Sequence, residues 1–173
     1  METNDIKLTV LKDAVCTSKY RDVRNLTATT GEKISNQPHT GIDLVSKSGS
    51  KDLLAVADGK VLFVTQCDGS GGNNGGSKTV VIAYGGILPF DQVLLVLYAH
   101  CDRIDVKKGQ KVYKNQRVAI LGSTGLVTAP HVHVETYAIG KYNWCDENNR
   151  YFQWSYKDRH KYRFNPNDVL HVY

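Results

Sequence analysis

Short apolar runs, broken every few positions by glycine, asparagine, aspartate or serine, recur along most of this chain. Residues 6–11 alternate loosely. Residues 53–64 hold two apolar segments about Asp58-Gly59, the pattern of a hairpin. Residues 79–84 and 92–100 are rich in β-branched and aromatic side chains, and the longest apolar run, residues 93–98, has the length of a buried strand. Residues 106–121 read as a strand, a turn and a second strand. No segment sustains the 3.6-residue period of a long helix, so the expected fold is mainly antiparallel β. The glycine-rich stretch 69–76 is a connection and not a phosphate loop, because Ser77 stands where that loop needs glycine directly before its lysine.

The segment 138–163 differs from the rest: tyrosine, tryptophan, lysine, arginine and asparagine replace the aliphatics. It fits either an irregular excursion packed by its own aromatics or a wall of a groove for a polar polymer. The length of 173 residues suits one domain with a real core. No stretch reaches the roughly 18 apolar residues of a membrane helix, and the polar, acidic start lacks the plan of a signal peptide. The formal net charge of +5 favours an anionic partner, with nucleic acid and an anionic cell wall as candidates. The cysteines Cys16, Cys67, Cys101 and Cys145 form no CxxC pair, and buried free thiols are expected in preference to a disulfide.

Four of the six histidines fall in three short motifs. In His39-Thr40-Gly41-Ile42-Asp43 an imidazole and a carboxylate flank a glycine, on a loop entering a strand, and the glycine lets the backbone turn both toward one point. Both are ordinary zinc ligands, at roughly 2.0–2.2 Å. In His131-Val132-His133-Val134-Glu135 the two histidines lie two apart, so a strand projects both to one face, with Glu135 nominally beside them. Tyr98-Ala99-His100 closes a strongly apolar run, delivering a polar side chain to the end of a strand. His160 and His171 have no such setting.

Taken together, these motifs resemble those of the M23 zinc endopeptidases of the lysostaphin and LytM type. The likeness rests on His39-Thr40-Gly41-Ile42-Asp43, on Leu97 to His100, and on Gly122-Ser123-Thr124-Gly125 leading to Pro130-His131-Val132-His133. Flanking matches at residues 17–21, 57–61, 106–110 and 165–170 extend it over nearly the whole chain. The resemblance implies one domain over 1–173, with its core at about 15–137 and 164–173 and an insertion at about 138–163. It also implies a compact two-layer antiparallel β-sandwich with a narrow substrate groove and few or no long helices. His39, Asp43 and His133 would bind Zn2+, and His100 and His131 would be catalytic, without deciding which is the base. Glu135 would orient a ligand histidine from behind, or point to the opposite face. No tyrosine stands just before His39, where some members carry one.

The implied activity is hydrolysis of peptide cross-links or stem peptides of bacterial peptidoglycan. Pentaglycine bridges and D-alanyl–diaminopimelate links are both cut by relatives. A catalytically silent binding module of the same fold is the alternative. Peptidoglycan is then the partner in place of nucleic acid, with no insertion into a membrane. The polar N-terminus points to a bacteriophage product, an endolysin released late from the host cytoplasm or a virion-associated protein bound to phage tail components.

Overall fold

A computed structural model describes residues 7–28, 31, 33–65, 77–125, 127–140 and 160–173. The stretch 69–76, Cys67, Cys145 and most of the segment 138–163 lie outside the described residues. The strands in chain order are β1 (Ala14–Ser18), β2 (Val23–Thr27), β3 (Lys33–Pro38), β4 (Ile42–Ser46), β5 (Asp52–Leu54) and β6 (Gly59–Thr65), then β7 (Lys78–Tyr84), β8 (Gln92–Ile104), β9 (Lys111–Val112), β10 (Arg117–Leu121), β11 (Val132–Gly140) and β12 (Arg163–Phe164). A single 3-10 turn at Pro166–Asp168 is the one helical element among the described residues. No helix among them is long and apolar enough to cross a membrane.

Among the described residues, ten strands form one sheet whose main path runs β1-β4-β11-β8-β7-β6-β9, and β2 pairs only with β3 in a separate ribbon. Every pairing between these strands is antiparallel. The fold is therefore mainly antiparallel β, as the periodicity indicates.

The apolar run of β8 is continuous because both faces of the sheet are covered. Leu94, Val96 and Tyr98 join one core cluster with Val80, Ile82 and Tyr84 of β7 and Val132 and Val134 of β11. Val10, Leu53, Val112 and Val118, from the N-terminal segment, β5, β9 and β10, close over that face. Leu95, Leu97 and Ala99 project the other way, onto Val81, Ala83, Tyr137 and Ile139. A one-residue slip of β8 would exchange its two apolar sets, so register is strongly specified here.

One expectation is corrected. Residues 53–64 do not form a hairpin: β5 pairs with β10, while β6 pairs with β7 and β9. Residues 111–121 do hold a strand, a turn and a second strand, with β9 pairing to β6 and β10 to β8 and β5. The reason β5 leaves β6 is the length of β8. It runs past His100 to Ile104, offers its far end to β10, and β10 then takes β5. Alternation tells which side chains bury, not which strand lies alongside.

Candidate metal centre

The site forms where β4, β11 and β8 lie side by side. Asp43 and Ala99 are both register partners of His133, which places β4 and β8 on either side of β11. Ile42, Leu44, Val132 and Val134 are buried in the first core cluster. The alternate positions Asp43 and His133 therefore face the opposite side, and His131 follows by the same period.

His39 stands just before β4, and Gly41 sets how closely that loop approaches β11. A Cβ at Gly41 would lie 2.1 Å from Val134 O, a backbone atom that cannot move aside. Close approach, and not a turn toward one point, is thus what the glycine provides. His39, Asp43 and His133 come together with their ligand atoms within 4.8 Å of one another. His39 Nε2 lies 2.9 Å from His133 Nδ1 and 3.1 Å from Asp43 Oδ1, and His133 Nδ1 lies 2.9 Å from that same oxygen.

Protons explain why these three atoms face inward. A carbonyl only accepts, so His39 donates from Nδ1 to Lys19 O at 2.9 Å and keeps its lone pair on Nε2. His133 donates from Nε2 to Glu135 Oε1 at 3.0 Å, which leaves Nδ1 toward Asp43. Neutral imidazoles in these tautomers aim two nitrogen lone pairs and a carboxylate at one point, and only a cation or a proton there relieves the repulsion. A tetrahedral zinc with bonds of roughly 2.0–2.2 Å would separate its ligands by about 3.3–3.6 Å. The observed triangle is only slightly tighter, so the residues fit that ion.

The electrostatics agree. Burial works against charge on His133, but Asp43 and Glu135 on its two nitrogens outweigh it and push its pKa up to about 9. Burial would raise the Asp43 carboxyl, yet hydrogen bonds with His133 and His39 hold it well below the usual carboxylate range. Burial lowers His39, against the opposing pull of Asp43. A proton retained on His133 occupies the place that a metal would take.

His100 enters by a different device. Lys78 pairs with Cys101 and Val80 with Tyr98, so one residue on β7 faces two on β8. This is a β-bulge, with His100 at φ 64°. The expectation that His100 ends its strand is corrected here: the strand continues, and the bulge re-aims the side chain. Without it, His100 would follow Tyr98 into the apolar core. Its N–H, lost to the ladder, donates to Ser77 Oγ at 2.7 Å. Its ring donates from Nδ1 to Thr124 O at 2.7 Å and packs edge-on against His131, with centroids 4.9 Å apart. Burial, with His133 and His131 adding to it, lowers its pKa to about 3. His131 likewise donates from Nδ1 to Ala129 O at 2.7 Å, and its Nε2 lies 3.5 Å from Asp43 Oδ1. Both rings thus keep an Nε2 lone pair.

All five residues singled out in the sequence meet at one place. Glu135 lies on the His133 side, as one of the two readings had it. Its other contacts were not legible: Thr40 Oγ1 donates to Oε1 at 2.6 Å, Tyr137 OH donates to Oε2, and Arg163 reaches Oε2 at 3.2 Å. Arg163 comes from β12, which pairs with β11 at Thr136 and Tyr137. Arg24 meets Asp43 from the β2–β3 ribbon. No spacing rule connects such distant positions. Beside the cluster opens a cavity of about 760 Å³ lined by Val23 and Arg24, by residues 127–130, and by Asp43 and His131. Cys16 and Cys101 are free thiols, half-buried and buried respectively.

Residues 37–144 match the sequence profile of Peptidase family M23. The chain belongs to this family. A relative, the peptidoglycan DD-endopeptidase ShyB of Vibrio cholerae, is 35% identical over 98 residues, covering 57% of this chain and 20% of ShyB. The glycyl-glycine endopeptidase ALE-1 of Staphylococcus capitis is 30% identical over 102 residues, covering 59% of this chain and 25% of ALE-1. This chain therefore spans only a small part of these curated relatives. A solved zinc-containing peptidase from Vibrio cholerae superposes with a TM-score of 0.51 at 28% identity, covering 78% of this chain and 36% of that one. The matched M23 segment contains His39, Asp43, His100, His131 and His133.

Proposed function

We propose that this M23 chain is a zinc-dependent endopeptidase that hydrolyses peptide bonds of bacterial peptidoglycan. The observation that carries the proposal is the convergence of His39 Nε2, Asp43 Oδ1 and His133 Nδ1 beside two further histidines whose Nδ1 protons are already committed. His39, Asp43 and His133 would hold the ion, and three protein ligands leave a position open, as a catalytic zinc requires. Zinc bound there supplies Lewis acidity toward a scissile carbonyl and acidifies water toward neutrality.

The chain's own groups supply the rest. His100 and His131 each present an Nε2 able to take a proton from the attacking water or return it to the leaving amine. His100, held neutral by its burial, is an acceptor across the neutral range. Once protonated, either ring stabilises negative charge on the substrate oxygen. The cavity beside Asp43 and His131 would take the peptide, and its polar backbone suits Ser18, Asn25 and Thr128 on the walls. A silent binding module would be expected to lack a ligand or a proton-transfer residue, and none of the five is missing. The bacteriophage setting adds no residue to the site and forms no part of this proposal.

The test compares wild type with His133→Ala for zinc content and for hydrolysis of two wall chemistries. One is directly cross-linked through D-amino acids, as for ShyB, and the other carries glycine bridges, as for ALE-1. About one zinc per chain, with metal and hydrolysis both lost in the variant, is expected; zinc bound without hydrolysis of either wall sinks the enzyme reading.

A further inference from the structure

Asp43 has two oxygens with different partners. Oδ1 faces the other two candidate ligands, 3.1 Å from His39 Nε2 and 2.9 Å from His133 Nδ1. Oδ2 receives Nη2 of Arg24. The same guanidinium donates from Nη2 and Nε to Ser18 Oγ, at 2.6 and 3.2 Å. Ser18 Oγ in turn lies 3.4 Å from His39 Nδ1. Arg24 thus touches one candidate ligand directly, and the hydroxyl that anchors it lies beside a second, whose Nδ1 proton goes to Lys19 O. A planar fork held by an oxygen on β1 and another on β4 has little freedom to turn.

A carboxylate can bind an ion through one oxygen or both. A guanidinium on the second oxygen withholds it, so the first is presented alone and in a set direction. We propose that Arg24 is a positioning residue of the metal centre, one that confines Asp43 to ligation through Oδ1. The same contact ties the β2–β3 ribbon, which has no strand pairing with the main sheet among the described residues, to the site whose cavity it walls. This inference rests on the zinc reading above, because it concerns how a ligand is presented.

A rival account would give Arg24 only an electrostatic role, and the two accounts differ in sign. A guanidinium repels a nearby dication, so charge alone predicts tighter zinc in Arg24→Gln and unchanged zinc in Arg24→Lys. Positioning predicts weaker zinc in both, since lysine is a point donor and cannot hold Ser18 and Asp43 in one plane. The expected loss is about tenfold or more, as for other groups that orient a metal ligand.

The test measures zinc affinity by competition with a chromophoric chelator, and the visible spectrum after cobalt(II) replacement, for wild type, Arg24→Gln, Arg24→Lys and Ser18→Ala. Positioning predicts weaker binding in all three variants and, in the two Arg24 variants, a cobalt band of lower intensity, as the freed Oδ2 raises the coordination number. Arg103→Gln, in an exposed ion pair with Asp105, should match wild type. Tighter or unchanged zinc with an unchanged cobalt band in the Arg24 variants overturns the proposal while the zinc reading stands. If those variants do not fold by circular dichroism, Ser18→Ala, which removes the second anchor of the fork, decides, and wild-type zinc affinity there overturns it. Wild type that binds no zinc overturns the functional reading and this inference together.

Discussion

A neutral imidazole has one lone pair, and the contact made by its other nitrogen decides where that lone pair points. Glu135 makes that decision for His133 by accepting from Nε2 at 3.0 Å, while Arg163 and Tyr137 hold the far oxygen. Glu135→Gln keeps the shape but loses the charge that Arg163 faces. It should lower zinc affinity by about 10–100-fold with little change in fold, measured by chelator competition. His133 also sets a pH dependence. In metal-free protein its folded pKa of about 9 exceeds the ordinary 6.5. The stability this contributes is therefore fully present below about 6.5 and lost as pH rises through about 9. Zinc competes for the same nitrogen, so its affinity should rise over that window, and binding at pH 7 should release about one proton. Calorimetry in buffers of different ionisation enthalpy reads this directly; heats independent of buffer would contradict it. By spacing the sequence put Glu135 nominally on the His133 face while leaving the opposite face open. It had no means to show Arg163, which arrives 28 positions later.

At the scale of elements, two local features convert an ordinary sheet into a site. The first is the contact between the His39–Asp43 loop and β11, which needs a hydrogen atom in place of a side chain at Gly41. Gly41→Ala would drive a methyl against Val134 O and pry apart the register that sets Asp43 opposite His133. We expect a loss of about 1–3 kcal/mol in stability and a larger proportional loss of zinc affinity, read by thermal denaturation and metal titration. A variant with wild-type melting and zinc binding would show that the loop has room. The second feature is the bulge at His100. Period-2 counting from Tyr98 sends His100 into the core, and only the extra residue against β7 turns it to the site. A bulge depends on the partner strand's register, which the β8 sequence does not contain.

For the whole molecule, the metal would join distant parts of the chain: a loop before β4, β4 itself and β11, 90 positions apart between Asp43 and His133. An ion bound only by the folded state stabilises it by mass action. At 1,000 times its dissociation constant, zinc should add about 4 kcal/mol, or roughly 8–16 °C in melting temperature for a domain of this size. Chelator should reverse the rise, and His133→Ala should show none. By itself the sequence indicated the β class and singled out the five side chains that the fold brings together. The first depends on apolar periodicity; the second on three short motifs of metal-competent side chains, of which only His131 and His133 share a strand face by spacing. Strand partners, the bulge at His100, the true reason for Gly41, and the arginines at Asp43 and Glu135 were decided only by the tertiary structure. Each of these joins residues far apart in the chain, and such joins are set by which faces bury together and which buried charges need a counter-charge, not by local pattern.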